Sequence, residues 1–166
     1  IRIFNPIHEI VLDETNAKHL KIVSTNVDDN NDLALLLHEI IQSHYVAFNL
    51  RWSSDNERYV FVSNGTTNNF DLYLGSINNK EVTQITSDDA IDNQAQWSPN
   101  AELLVFVSSR LGRANLHIYE LKTRTIRSIS AVNSDTLNPV WSLVGNKITF
   151  MQDEGNDLQI FVFDEN

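Results

Sequence analysis

The His-Glu dipeptides at His8-Glu9 and His38-Glu39 set an imidazole beside a carboxylate, the pairing from which metal sites and acid–base catalysts are built. Neither leads to a second ligand, and the five histidines, His8, His19, His38, His44 and His117, form no H-E-x-x-H pattern. A histidine metal site, and with it a lyase-like metal cluster, is therefore disfavoured. The run Asp28 to Asp32 places oxygen ligands close together, as calcium requires, but Leu33 stands where an EF-hand loop needs its sixth-position glycine. A turn-type calcium site is the form left open there, and the structural reading is a solvated acidic loop. A G-x-S-x-G elbow is absent, so an α/β-type serine hydrolase is not encoded, and zero cysteines remove thiol nucleophiles, disulfides and Cys-ligated zinc.

Arg110, Gly112 and Arg113 form a basic cluster on an otherwise acidic chain. Two arginines on a rigid loop can grip a partner's carboxylate, which makes Arg110 and Arg113 the candidate partner-binding residues; the competing reading is neutralisation of adjacent acidic loops. Asn64-Gly65-Thr66 fits a glycosylation triplet and is more simply read as a turn. A pH-sensing role for the histidines is a minority reading, since their protonation would offset part of the negative charge. No cofactor is expected.

The elements that position these residues are set by a repeat. Trp52, Trp97 and Trp141 are separated by 45 and 44 residues, and each is followed directly by serine. After each Trp-Ser comes a polar turn and an apolar burst, "YVFVS" from Tyr59, "LLVFVSS" from Leu103 and "KITFM" from Lys147. A second motif keeps the phase, "DLYL" at Asp71, "NLHI" at Asn115 and "DLQI" at Asp157, and two copies add a third apolar strand at Val82 and Ile126. With the strand ahead of each tryptophan, the unit holds four short strands. That period and strand count predict a blade of a β-propeller. A lone blade cannot bury both faces, so the tryptophans are expected to fill the gaps between adjacent sheets. Asp71, Asn115 and Asp157 are expected to cap turns or bond neighbouring backbone amides.

The expected architecture is all-β, one domain over residues 1–166 with about four four-stranded blades, roughly 6–46, 47–91, 92–135 and 136–166. The first is degenerate: Leu12 takes the tryptophan place, and "LALLLHEIIQSHYV" reads equally as a helix. The last lacks an outer strand, and residues 1–5, "IRIFN", are similar to the outer strand "IRSIS" of the third copy. Strand addition by those five residues would close a four-blade ring; the competing reading is a chain cut from a larger propeller. The chain opens on isoleucine without a secretory signal, and is read as a processed or excised piece.

Composition narrows the partners. A formal net charge of -10 repels phosphate backbones and anionic lipid headgroups, so nucleic acid is an unsuitable partner. No run of eighteen apolar residues exists, and membrane insertion is not expected.

Trp97-Ser98-Pro99 and Asp71-Leu72-Tyr73 carry a family resemblance. The repeat is similar to that of the TolB-like, WD40-like propeller family, well over residues 47–166 and weakly over 6–46. It departs at the turns, where "SSDN", "SPNA" and "SLVG" keep only parts of the family's Ser-Pro-Asp-Gly. The resemblance implies a propeller and leaves the chemistry open, because the family spans periplasmic TolB, peptidase-gating propellers, pectin-fragment lyases and sensor domains of CadC-like membrane-bound transcription regulators. The expectation is a non-catalytic, extracytoplasmic module that binds a protein or small ligand at a propeller face. The alternative is the propeller portion of an enzyme whose catalytic residues lie elsewhere.

Overall fold

Apolar runs four or five residues long, bounded by polar turns, form strands in a computed structural model of the chain. It describes residues 9–12, 20–23, 46–65, 69–79, 81–130, 133–155 and 157–165. The chain divides into two compact units, Ile1–Val46 and Ala47–Asn166. In the first, β1 (Glu9–Leu12) pairs antiparallel with β2 (Leu20–Val23), Glu9 opposite Val23. The expected ring-closing strand at residues 1–5, the Asp28–Asp32 loop and the helix-like stretch before Val46 lie outside the described residues, as do His8, His19, His38 and His44.

The second unit is a series of antiparallel meanders. β3 (Ala47–Trp52), β4 (Arg58–Ser63), β5 (Asp71–Ser76) and β6 (Val82–Gln84) form blade 1 in chain order. β7 (Asp92–Trp97), β8 (Leu103–Ser108), β9 (Asn115–Glu120) and β10 (Thr125–Ser128) form blade 2, and β11 (Thr136–Trp141), β12 (Lys147–Asp153) and β13 (Leu158–Asp164) form a three-stranded blade 3. Each crossing to the next blade is held the same way: Asp92 donates its amide to the Phe70 carbonyl at 2.8 Å, and Thr136 donates to Ala114 at 2.7 Å.

The serine that follows each tryptophan has a local reason. Its hydroxyl accepts the amide that opens the next strand, Arg58 to Ser53 at 3.2 Å, Leu103 to Ser98 at 2.9 Å and Lys147 to Ser142 at 3.2 Å. In the first two turns a side chain two residues on adds an Asx-type bond, Asp55 accepting from Glu57 and Asn100 from Glu102. Val144 occupies that place in the third turn and has no acceptor to offer.

Packing follows the repeat. β4 and β8 are buried along almost their whole length, because each lies mid-blade with apolar side chains on both faces. Val60, Val62 and Leu72 of blade 1 meet Ala95, Trp97, Leu104, Phe106 and Tyr119 of blade 2. The other face of blade 2 repeats the arrangement, with Val105 and Ile118 against Trp141 and Ile148, and Val107 and Leu116 against Phe150. β12 instead alternates, Ile148 and Phe150 buried, Lys147 and Thr149 exposed, since its second face is bare.

Candidate functional site

The innermost strands carry the feature that best suits binding. β3, β7 and β11 each break register with their neighbour at the same place, between Phe48 and Arg51, Asn93 and Gln96, and Leu137 and Val140. At each bulge one non-glycine residue takes a left-handed backbone, Asn49 at φ 56°, Gln94 at 53° and Asn138 at 53°. Asparagine tolerates this conformation better than most residues, glutamine less well, and such strain gathers where a bulge re-aims a side chain. The Gln94 Oε1 accepts the Asn138 amide at 2.7 Å, tying the bulge of blade 2 to that of blade 3. Around these residues, with Arg51, Gln96 and Val140, lies a depression of about 370 Å³. Its walls offer carboxamide donors and acceptors and one guanidinium, which suits a polar ligand more than an apolar one.

The sequence reading missed this site, although a signal was present. A carboxamide stands three residues before each tryptophan, Asn49 before Trp52, Gln94 before Trp97 and Asn138 before Trp141.

The arginines of the β8–β9 loop sit apart from the depression. Arg110 is held inside blade 2, its Nη2 donating to both Asp92 carboxylate oxygens at 3.1 and 2.9 Å and its Nε to the Ser108 hydroxyl at 2.8 Å. Its guanidinium also lies 5.4 Å from the Phe106 ring centre and 3.3 Å from Asp88. Asp92 is fully buried, so this pair is an internal brace. Arg113 is more than half exposed and reaches Asp135 at 3.5 Å.

The repeat residues divide by blade. Trp97 wedges between blades 1 and 2 and donates its indole N–H to the Arg51 carbonyl at 3.1 Å, while the Arg58 guanidinium lies over its ring. Trp141 fills the next gap, but its buried Nε1 has no hydrogen-bond partner among the described residues. Trp52 is half-buried and meets Tyr59 edge-on. Asp71 is buried and accepts from Gln84 Nε2 at 3.0 Å and Thr86 Oγ1 at 3.3 Å. Asn115 takes the same place in blade 2; its buried amide finds no partner among the described residues, and the Ser130 hydroxyl, at the place of Thr86, accepts the Leu116 amide at 2.8 Å. Asp157 is exposed.

His117 is buried beside this row, its Nδ1 3.1 Å from the Asn115 carbonyl and its ring tilted on Phe106. Burial lowers its pKa below the ordinary value, assisted by the Arg110 charge and opposed by the Asn115 contact and by Asp92 and Asp88. No group of three or more metal-ligating side chains is assembled among the described residues.

The model of the TolB beta propeller domain family matches residues 15–166. The chain belongs to the TolB β-propeller family. Solved structures agree on the fold: TolB from Acinetobacter baumannii matches 70% of this chain with a TM-score of 0.63 and 21% identity. Dipeptidyl peptidase 4 from Porphyromonas gingivalis matches 72% with a TM-score of 0.58 and 14% identity. Oligogalacturonate lyase from Vibrio parahaemolyticus matches 61% with a TM-score of 0.51 and 17% identity. The TolB-family chain spans less than a third of the length of each, 29%, 24% and 27% respectively. No helix among its described residues is long and apolar enough to cross a membrane.

Proposed function

We propose that this chain is a non-catalytic recognition module, the propeller portion of a larger extracytoplasmic protein, binding a polar segment of a partner protein or a small polar ligand. The observation that carries this reading is the depression at the three bulges, where Asn49, Gln94 and Asn138 hold strained backbone conformations to present carboxamides beside Arg51. Membership of the TolB family favours a periplasmic setting, and attachment to a membrane-bound regulator of the CadC-like kind fits a sensing role. Arg113, more exposed than Arg110, is a second point where a partner's carboxylate can be met.

The test is a screen of short polar peptides by NMR on the labelled chain. Binding is expected to shift the amides of residues 49–51 and 94–96 and of Asn138 and Val140, and Arg51→Glu is expected to abolish it without changing the melting temperature. Shifts confined to other residues would refute the site.

The second reading, the propeller of an enzyme, is favoured by the likeness to a peptidase and a lyase. Release of dipeptides from a longer peptide or cleavage of oligogalacturonate by the full-length protein would establish it.

A further inference from the structure

Arg51 differs from four other arginines of this acidic chain. Arg58, Arg110, Arg113 and Arg127 each meet a carboxylate, that of Asp55, Asp92, Asp135 and Glu165 respectively. Arg51 meets none among the described residues; its Nη1 donates to the Leu50 carbonyl at 2.9 Å, and its other N–H groups find no acceptor there. None of the eight residues lining the depression at the bulges is acidic, although aspartate and glutamate make up 22 of the 166 residues of the chain. One positive charge is thus left locally uncompensated on an exposed side chain. A planar carboxylate meets a guanidinium in two parallel hydrogen bonds, which makes it the natural counter-charge.

The fold has already committed half of each neighbouring carboxamide. Gln94 uses its Oε1 on the Asn138 amide at 2.7 Å, so its Nε2 remains to donate. Asn138 turns its Nδ2 to the Met151 sulfur at 3.6 Å, so its Oδ1 remains to accept. Ala95, Pro139 and Val140 supply an apolar part of the lining, and Val140 is 55% exposed. A carboxylate site, an acceptor for one N–H and an apolar contact therefore lie in a single depression of about 370 Å³.

The last residue of a peptide carries those three groups on one Cα: a carboxylate, an N–H and a side chain. A phosphate group fits less well, because it brings up to two negative charges to one guanidinium on a chain of net charge -10. A sugar acid also fits less well, because its hydroxyls would meet Pro139 and Val140, whose side chains offer no hydrogen bond. We infer that the depression binds the free C-terminus of a peptide, with the carboxylate on Arg51, the last N–H on Asn138 Oδ1 and an apolar last side chain against Val140. The inference rests on the reading of the bulges as a recognition site and names the ligand class of that site.

The test is an NMR titration of the labelled, unmodified chain with three synthetic peptides: acetyl-Gly-Ser-Gly-Val as the free acid, the same peptide with a C-terminal amide, and acetyl-Gly-Asp-Gly-Val amide, whose carboxylate is internal. The free acid is expected to shift the amides of Arg51, Gln94, Asn138 and Val140, and to bind roughly ten-fold or more tightly than either amidated peptide. Arg51→Gln is expected to remove the difference between acid and amide without lowering the melting temperature, since the Trp97 indole bonds the Arg51 backbone carbonyl and not its side chain. Equal affinities of acid and amide, with shifts at the bulges, would overturn the carboxylate and leave polar recognition there standing. An internal aspartate that binds as tightly as the free acid would overturn the choice of a chain terminus. A preference for the acid that survives Arg51→Gln would overturn the assignment to Arg51. Absence of shifts at the bulges with all three peptides would overturn this inference, and if the wider screen of polar peptides is also silent there, the recognition site falls with it.

Discussion

Two tryptophans at equivalent places differ in one hydrogen bond. Trp97 donates to the Arg51 carbonyl, and Trp141 buries its N–H without a partner among the described residues. Phenylalanine keeps most of the apolar area and removes the N–H, so Trp97→Phe is expected to cost about 1 kcal/mol more than Trp141→Phe, measured by urea unfolding. Equal costs would mean that Trp141 finds a partner in solution. His117 gives a pH prediction whose sign follows from burial. Its folded pKa lies below the ordinary 6.5, so the unfolded chain takes up the proton first as the pH drops. The stability it supports is full above about pH 6.5 and falls as pH decreases from there toward the depressed folded value. His117→Gln is expected to flatten that part of the profile, and an unchanged slope between pH 7 and pH 5 would assign it to other groups. His117 is the histidine among the described residues, and its burial, not its spacing in the sequence, is what lowers its pKa.

The inner strands show at the level of elements why part of the site escaped notice. Periodicity of two predicts the strands, but a bulge adds one residue and turns its side chain without altering composition. The carboxamide three residues before each tryptophan is visible in the sequence, yet its left-handed backbone is a property of the ladder it interrupts. Asn49→Val puts a β-branched side chain at φ 56° and is expected to cost about 1–2 kcal/mol in thermal or urea unfolding, whereas Asn49→Gly is expected to be close to neutral. Equal losses from both would show that the carboxamide itself, not the backbone, carries the stability. Arg110 illustrates the converse. It was conspicuous as a cation in the sequence, and in the fold its donors are engaged by Asp92, Asp88 and Ser108.

At the scale of the molecule, stability in the second unit is a chain of nearest-neighbour interfaces, one on either face of blade 2. Leu104 faces blade 1 and Ile148 faces blade 2 from blade 3, in separate clusters. Each change to alanine is expected to cost about 2–5 kcal/mol, and the double variant to be additive within about 0.5 kcal/mol in urea unfolding. A larger departure would show the two interfaces coupled through blade 2. The sequence by itself determined the blade, because a period near 45 residues with tryptophan, serine and short apolar strands in fixed phase has few other ways to bury its side chains. It also determined where each turn closes, since the serine acts on an amide five residues away. The tertiary structure decided which polar groups are brought together. Asn49, Gln94 and Asn138 converge from strands far apart in the chain, Arg110 is tied to a carboxylate eighteen residues earlier, and the bare face of blade 3 appears only when the blades are stacked. These outcomes depend on contacts between blades, and local patterning does not encode which neighbour a side chain will meet.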